Sequence, residues 1–232
     1  GYKMLGEMMQ LQSLTIERFK KFERVDFDLS DVNIFVGGNN SGKSTLIQAI
    51  HFTFTLLQSL EISKKWPAAS KKSTTVSPSE LIYVPSEDPY SLGYGGKLLE
   101  DEDKAIVIRM TFDSGETITL SVRKGRITNL LVEPDNVEFA RTISKLDAPF
   151  SVYSPGLAGV ARTEQLVSDG VLLRALARGD ANSFLRNILY RLRKGTDWKE
   201  FEGDLAAIFP GVAITVKFDD TIDQYIDVRI HD

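Results

Sequence analysis

The sequence has no cysteine, and histidine occurs just twice, as His51 and His231. Without cysteine there is no disulfide framework and no thiolate metal site. Two histidines this far apart leave zinc clusters and Ser-His-Asp catalysis without their parts. Long apolar runs are missing as well: no stretch approaches the roughly 20 residues that cross a bilayer as a helix. The start carries no secretory signal. Charge of one sign is also scarce. The formal net charge is −4, so the chain as a whole is not a basic nucleic-acid binder, and any such contact has to be local or come from another part of an assembly. These absences point to a cytoplasmic setting with no membrane partner. What is present is an apolar share of 42% over 232 residues, enough for one large domain or a domain with an arm.

The chain is organised around residues 32–50. An apolar run, Val32 to Val36 with Asn33 inside it, leads into Gly37, Gly38, Asn39, Asn40, Ser41, Gly42, Lys43, Ser44 and Thr45, and a helix-forming run follows. The spacing is G-x-x-x-x-G-K-[S/T] between strand and helix, the phosphate-binding loop. Gly37 lets the chain turn as it leaves the strand, and Gly42 lets backbone pass close to a phosphate. Successive N–H groups and the helix N-terminus face the anion. Lys43 is placed for the β- and γ-phosphates, which makes it the catalytic candidate, and the Ser44 hydroxyl is placed for Mg²⁺. ATP and Mg²⁺ are the implied ligands. A faint Asn-Lys-x-Asp-like string at Ser144, Lys145, Leu146 and Asp147 is too weak to indicate guanine reading, because no Asp-x-x-Gly switch accompanies it.

The interior of the loop, with Asn39 two residues after Gly37, resembles the ATPase heads of the SMC, RecF and OLD (overcoming-lysogenization-defect) families. Asn40 stands where those heads often carry Gly, a mild change because Asn tolerates positive φ. The continuation Leu46, Ile47, Gln48, Ala49, Ile50 matches the helix after their loop. Before the loop, residues 10–19 and 23–29 alternate as two strands, around Arg18, Phe19, Lys20, Lys21 and Phe22. The resemblance aligns Lys20 with an arginine that approaches the nucleotide's phosphates in those heads. Lysine there is still cationic but lacks the bidentate fork.

The rest of the chain follows in order. Residues 31–36 read as a buried central strand, and a helix runs from Gly42 to about Ser59 with Leu46, Ile47, Ile50, Phe54 and Leu57 on its apolar face. His51 reads as a packing or surface residue. Residues 63–89, with Lys64, Lys65, Trp66, Lys71 and Lys72, read as a loop whose lysines are candidates for a nucleic-acid backbone. Residues 104–110, 116–122 and 126–132 form a meander with a hairpin turn at Asp113, Ser114 and Gly115. That turn argues against Asp113 as a Walker B aspartate. Residues 150–154 read as a returning core strand, and 154–159 take the position of the Q-loop without its glutamine. Helices follow over 163–194, broken at Gly179 with Asp180 as N-cap, and a further helix opens at Thr196 in a capping-box-like start and ends at Pro210 and Gly211. Residues 212–218 and 225–230 alternate as terminal strands.

The expected fold is therefore α/β: a P-loop NTPase of ABC/SMC-head type, with a mixed core sheet, an inserted antiparallel meander and a helical lobe. Residues 1–8 read as a loose start, 9–160 as the ATPase lobe, 161–211 as the helical lobe, and 212–232 as terminal strands. A signature loop and a Walker B strand ending in Asp-Glu are not found, so the resemblance implies that a C-terminal half supplying both is a partner. It also implies an ATP-dependent homodimer of heads, with DNA as a candidate partner through the lysines of 63–89 and Arg174, Arg178, Arg186, Arg191 and Arg193. The expected function is an ATPase lobe serving DNA maintenance, repair or phage defence. The alternatives are a transporter's nucleotide-binding subunit and an assembly module that binds ATP without turnover.

Overall fold

A computed structural model describes residues 2–4, 7–146, 149–154, 159 and 161–231. They fall into two compact units, Gly1–Val152 and Tyr153–Asp232. The first begins with a short hairpin, β1 (Tyr2–Met4) and β2 (Glu7–Met9). Its body is one six-stranded sheet built from β3 (Leu11–Phe19), β4 (Phe22–Asp28), β5 (Thr74–Val76), β6 (Ile106–Phe112), β7 (Thr117–Lys124) and β8 (Leu130–Pro134). The spatial order is β4-β3-β6-β7-β8-β5, and every pairing is antiparallel.

Period-two patterning sets one face of this sheet. Leu14 pairs with Met110 and Ile16 with Ile108, and these in turn oppose Ile118 and Leu120. All six are fully buried. Across them lies α1 (Lys43–Ser63), with residues 51–60 buried without a break. A helix buried all round needs cover on both sides. The sheet-side core includes Phe52, which stacks on Phe19 at 6.1 Å. Elsewhere on the helix, Phe150 stacks on Phe54 at 4.7 Å, the Ile82 N–H donates to Ser59 Oγ, and His51 Nδ1 lies 3.0 Å from Ser151 Oγ. His51 is thus a packing residue with a polar partner. The buried Thr53, Thr55 and Ser59 hydroxyls donate to carbonyls one turn back at 2.8 Å, which satisfies them inside the core. The helix α2 (Val137–Ile143) starts at Asn136, whose side chain accepts the Phe139 N–H.

The antiparallel meander does follow α1 in the chain, and β6 pairs directly with β3, so it continues the opening hairpin in one sheet. Several expectations fail here. Among the described residues the large sheet is antiparallel rather than mixed. Residues 31–36 form no strand and are exposed, with Val32 at 78%, Ile34 at 82% and Val36 at 89%. Residues 150–154 form no strand either, although Phe150 packs on the core through Phe54 and Phe112. The physical reason is shared. An alternating apolar run becomes a strand only when a neighbour supplies its ladder partners, and the one large sheet closes without these two segments. The loop 63–89 is also more ordered than its composition implies: β5 pairs with β8, and Pro78–Glu80 form a 3₁₀ turn with a complete capping box from Ser77. Asp113 sits at the hairpin turn, where its carboxylate accepts the Gln10 N–H at 2.9 Å. Most of the Q-loop position (155–158) and Asp147 of the Asn-Lys-x-Asp-like string lie outside the described residues.

The second unit holds α3 (Asp169–Ala177), a 3₁₀ turn at Ala181–Phe184, α4 (Leu185–Lys194), α5 (Trp198–Ile208) and an antiparallel pair, β9 (Ala213–Lys217) with β10 (Asp227–His231). Leu189, Val216 and Ile226 form its small core, backed by Tyr190, Trp198 and Phe201. Gly179, at φ 83, makes the break after α3, where a Cβ would meet the Tyr153 ring at 2.8 Å. Neither expected cap forms. Asp180 accepts from Arg178 instead of capping, and Asp197 accepts the Thr196 hydroxyl. The start of α4 is capped from a distance. The buried Glu164 carboxylate accepts the N–H groups of Arg186 and Asn187 and the Asn187 side-chain amide, at 3.0 to 3.2 Å.

Candidate phosphate-binding site

The loop between residue 36 and α1 is shaped by two glycines. A Cβ on Gly37 would lie 2.8 Å from Ser41 Oγ and 3.1 Å from Ser41 Cβ, so the Ser41 side chain would have to shift to admit one. Gly42 has φ 104, a left-handed conformation that an L side chain adopts only under strain. Its Cβ would also lie 2.8 Å from the Phe22 ring. α1 begins on the next residue. The N–H groups of Lys43, Ser44 and Thr45 therefore belong to the first turn, where no i−4 carbonyl serves them, and the helix dipole adds positive potential.

These elements enclose a cavity of about 340 Å³ lined by Lys21, Asn39, Asn40, Ser41, Gly42, Lys43, Ser44 and Thr45. Of the sequence candidates, the structure brings together Asn39 to Thr45. Gly37 and Gly38 hold Lys43, whose Nζ donates to Gly37 O, to Gly38 O at 2.8 Å and to Ser41 Oγ at 3.3 Å. Two cations, a helix N-terminus and three hydroxyls around one cavity suit a polyphosphate. No carboxylate among the described residues lines it. A hard cation such as Mg²⁺ takes oxygen ligands, so here Ser44, with Thr45 beside it, would hold the ion together with phosphate oxygens and water.

Lys20 is placed elsewhere. Its Nζ donates to Gln48 Oε1 at 2.8 Å and to Pro85 O at 2.7 Å, and burial pulls its pKa below the usual lysine value. It does not line the cavity; the neighbouring Lys21 does. The sequence offered three basic residues in this turn, and of these Lys21 lines the cavity. Arg18 and Lys20 both have positive φ, 55 and 52, a conformation of this turn that composition does not flag.

The other basic candidates are partly committed. Lys65 pairs with Glu80 at 2.7 Å. Lys71 and Lys72 line a separate cavity of about 770 Å³ with Trp66, Arg141, Glu133 and Asp135, where carboxylates accompany the cations. In the second unit Arg178 pairs with Asp180 and Arg191 with Asp169, and Arg186 donates to Arg162 O. Asp169, Asp180 and Glu80 thus neutralise part of the basic surface locally. No described helix is long and apolar enough to cross a membrane.

Comparison with known proteins agrees with this geometry. The DNA replication and repair protein RecF of Lactobacillus acidophilus is 25% identical to this chain over 148 residues, which cover 61% of this chain and 36% of that protein. The chain thus spans about a third of the length of that curated relative. A family described as the AAA ATPase domain matches residues 9–154, more than half of the chain and the whole of the phosphate loop. The chain belongs to this AAA ATPase domain family, and within it resembles the ATPase heads of SMC/RecF type.

Proposed function

We propose that the chain is the ATP-binding lobe of an SMC/RecF/OLD-like ATPase that couples nucleotide binding and hydrolysis to DNA maintenance, repair or phage defence in the cytoplasm. The observation that carries the reading is the cavity at the start of α1, where Lys43, the Ser44 hydroxyl and the first-turn amides converge. In this reading Gly37 to Thr45 hold ATP, Ser44 ligates Mg²⁺ and Lys43 stabilises charge developing on the transferred phosphoryl group. The relative's role in replication and repair supports DNA as the eventual partner.

Hydrolysis needs a group that positions water in line with the γ-phosphate, and no carboxylate among the described residues lines this cavity. We assign that group to a C-terminal half carrying the signature loop and Walker B strand, with heads pairing as an ATP-dependent homodimer. The exposed Val32, Ile34 and Val36, directly before the loop, support such a partner, because a contiguous apolar stretch calls for cover. The same observations favour the second reading, an assembly module that binds ATP without turning it over.

Phosphate release and ATP-against-GTP binding by the purified chain, with Lys43→Ala as control, test both readings. We expect ATP binding that vanishes in Lys43→Ala, with turnover far below about 1 per second. Unchanged ATP affinity in Lys43→Ala would remove the site assignment. DNA stimulation of hydrolysis once a C-terminal half is supplied separates the repair-type ATPase from a bare assembly module.

A further inference from the structure

We propose that the cavity beside Trp66 takes one unpaired base of single-stranded DNA, with the flanking phosphates on Lys71, Lys72 and Arg141. The inference rests on the DNA-partner reading above; it names the form of DNA and the place where it is held.

The chain builds this cavity from three segments of the first unit. α1 ends at Ser63, and Lys64 turns the chain in a left-handed conformation, φ 55, just before Trp66. β8 runs past its neighbour: pairing with β5 stops at Thr74 and Val132, so Glu133 has no partner in β5. Lys71 and Lys72 come just before β5, and Arg141 lies on α2. The enclosed volume is about 770 Å³, against about 340 Å³ at the phosphate loop. That is within the roughly 300–1,000 Å³ of ordinary ligand sites.

The Trp66 ring is oriented by the protein itself. Its Nε1 donates to Glu61 Oε2 at 2.5 Å, and the Arg141 guanidinium stands over the ring, 5.6 Å from its centre. That contact is close to the outer limit of about 6 Å for a cation on an aromatic face. Lys71, Lys72 and Arg141 are exposed, and none of them forms an ion pair among the described residues. Arg141 is therefore free to leave the ring for a phosphate while a base takes its place, since every base has a π-face that stacks on an aromatic ring.

The carboxylates of the cavity argue for a base there rather than a phosphate backbone alone. Asp135 is engaged, its Oδ1 accepting the Thr119 N–H at 2.7 Å. Glu133 also lines the cavity and is paired with none of the three cations. A carboxylate repels phosphate, but it accepts from an exocyclic amino group, which cytosine and adenine carry and thymine lacks. An aromatic face, an amino acceptor and three cations together fit a nucleotide whose base is out of the stack. In a duplex the base faces are covered by their neighbours, and Trp66 has nothing to stack on.

The test is fluorescence anisotropy of a short labelled oligonucleotide titrated with the full chain, using oligo(dC), oligo(dT) and a duplex of the same length. We expect oligo(dC) to bind more tightly than oligo(dT), and both more tightly than the duplex. Trp66→Leu should weaken oligo(dC) about tenfold or more, the scale of one stacked base. Trp66→Phe, which keeps a ring, should retain most of the affinity. Replacing Lys71→Ala and Lys72→Ala together should lower the salt slope by about 1.4, at about 0.7 per phosphate contact on a single strand. Glu133→Ala should close the gap between oligo(dC) and oligo(dT). In Trp198→Phe, which leaves Trp66 as the one tryptophan, bound oligo(dC) should quench the fluorescence. Full single-strand affinity in Trp66→Leu, or a bound oligonucleotide that leaves Trp66 unquenched, overturns the inference. A Glu-rich peptide bound more tightly than either oligonucleotide, and lost in Trp66→Leu, also overturns it and assigns the cavity to a protein partner. A duplex bound more tightly than both single strands and indifferent to Trp66→Leu overturns the inference and leaves the DNA reading standing. Absence of binding to any DNA overturns the inference, and stimulation of hydrolysis by DNA, measured with a C-terminal half supplied, judges the reading separately.

Discussion

Residues 11–19 and residues 32–36 carry the same kind of apolar alternation, and they end in opposite environments. Leu14 and Ile16 of β3 are at most 1% exposed, while Val32, Ile34 and Val36 are among the most exposed apolar side chains of the chain. β3 has a strand on either side, β4 and β6. The later segment has none, and its most evident anchor is Phe35, edge-on to Phe27 at 6.0 Å. Alternation therefore encodes readiness to join a sheet, and pairing decides whether the apolar face is used.

The sharpest way to break this comparison is to truncate one side chain in each region. Phe52 is fully buried between α1 and the sheet. Phe52→Ala should cost about 3–5 kcal/mol of unfolding free energy, from lost burial and the cavity left behind. Val36→Ala should stay within about 0.5 kcal/mol, as exposed substitutions do. Urea denaturation of the two variants measures both. A large loss in Val36→Ala would mean that the stretch is covered in solution.

The second unit supplies a comparable contrast between a helix start served by its own sequence and one served from afar. α2 is capped by the adjacent Asn136. The first amides of α4 are served by Glu164, some twenty residues upstream. Glu164→Ala leaves buried donors without an acceptor and should cost about 2 kcal/mol. Glu164→Gln, which keeps one acceptor oxygen, should cost less. Thermal melting followed by circular dichroism gives the comparison, and equal losses in the two variants would show that the charge, not the acceptor, matters.

These regions also show what the sequence makes legible. The hairpin β3–β4, the meander and the loop from Gly37 to Thr45 are local: each is specified by alternation, turn residues or a fixed motif, and each is found in the structure. What escaped the sequence is relational. Alternation in β3 and β6 cannot reveal that they pair with each other and make the meander continuous with the opening hairpin. The cap on α4 is invisible because Glu164 is remote in sequence, and the nearby Asp180, a plausible cap by spacing, is drawn off by Arg178. That Lys21 lines the cavity while Lys20 turns to Gln48 goes with two positive φ values in a turn that composition does not flag. The exposed stretch 32–36 is the reverse case, where local pattern and motif spacing both said strand and no described neighbour pairs with it.

Within the phosphate loop itself, Gly42 and Gly38 make a matched pair. Gly42 needs its left-handed φ and a clear approach to Phe22, whereas a Cβ on Gly38 would meet nothing within 4 Å. Gly42→Ala should lose about 1–2 kcal/mol and weaken ATP binding by distorting the start of α1, where the phosphate loop ends. Gly38→Ala should remain within about 0.5 kcal/mol in stability. Denaturation and nucleotide titration of both variants read this out, and equal effects would show that the loop's glycines act through flexibility rather than through position.

The smallest expected effect asks whether the 63–89 segment is anchored like the sheet or loose like 32–36. Its clearest polar anchor is Glu80, which accepts from Lys65 at 2.7 and 2.8 Å and from the Ser77 N–H at 2.8 Å. The Lys65 hydrogen bond first, then the Ser77 amide, holds the Glu80 carboxyl below its ordinary pKa. A carboxylate with a depressed folded-state pKa adds stability that is fully present above the unfolded value, roughly 4.3, and is lost as pH falls through the folded value. The two side chains are 41% and 27% exposed, so solvent and salt screen the pair, and the gain should stay below about 1 kcal/mol. Glu80→Gln keeps an acceptor but does not titrate. The difference in unfolding free energy between the parent and Glu80→Gln should therefore be constant from neutral pH down to about pH 5 and should close at lower pH, since carboxylates common to both chains cancel. It should also shrink in high salt. A difference that persists at acid pH would mean that shape and packing, rather than charge, hold this segment, and would set it beside the sheet.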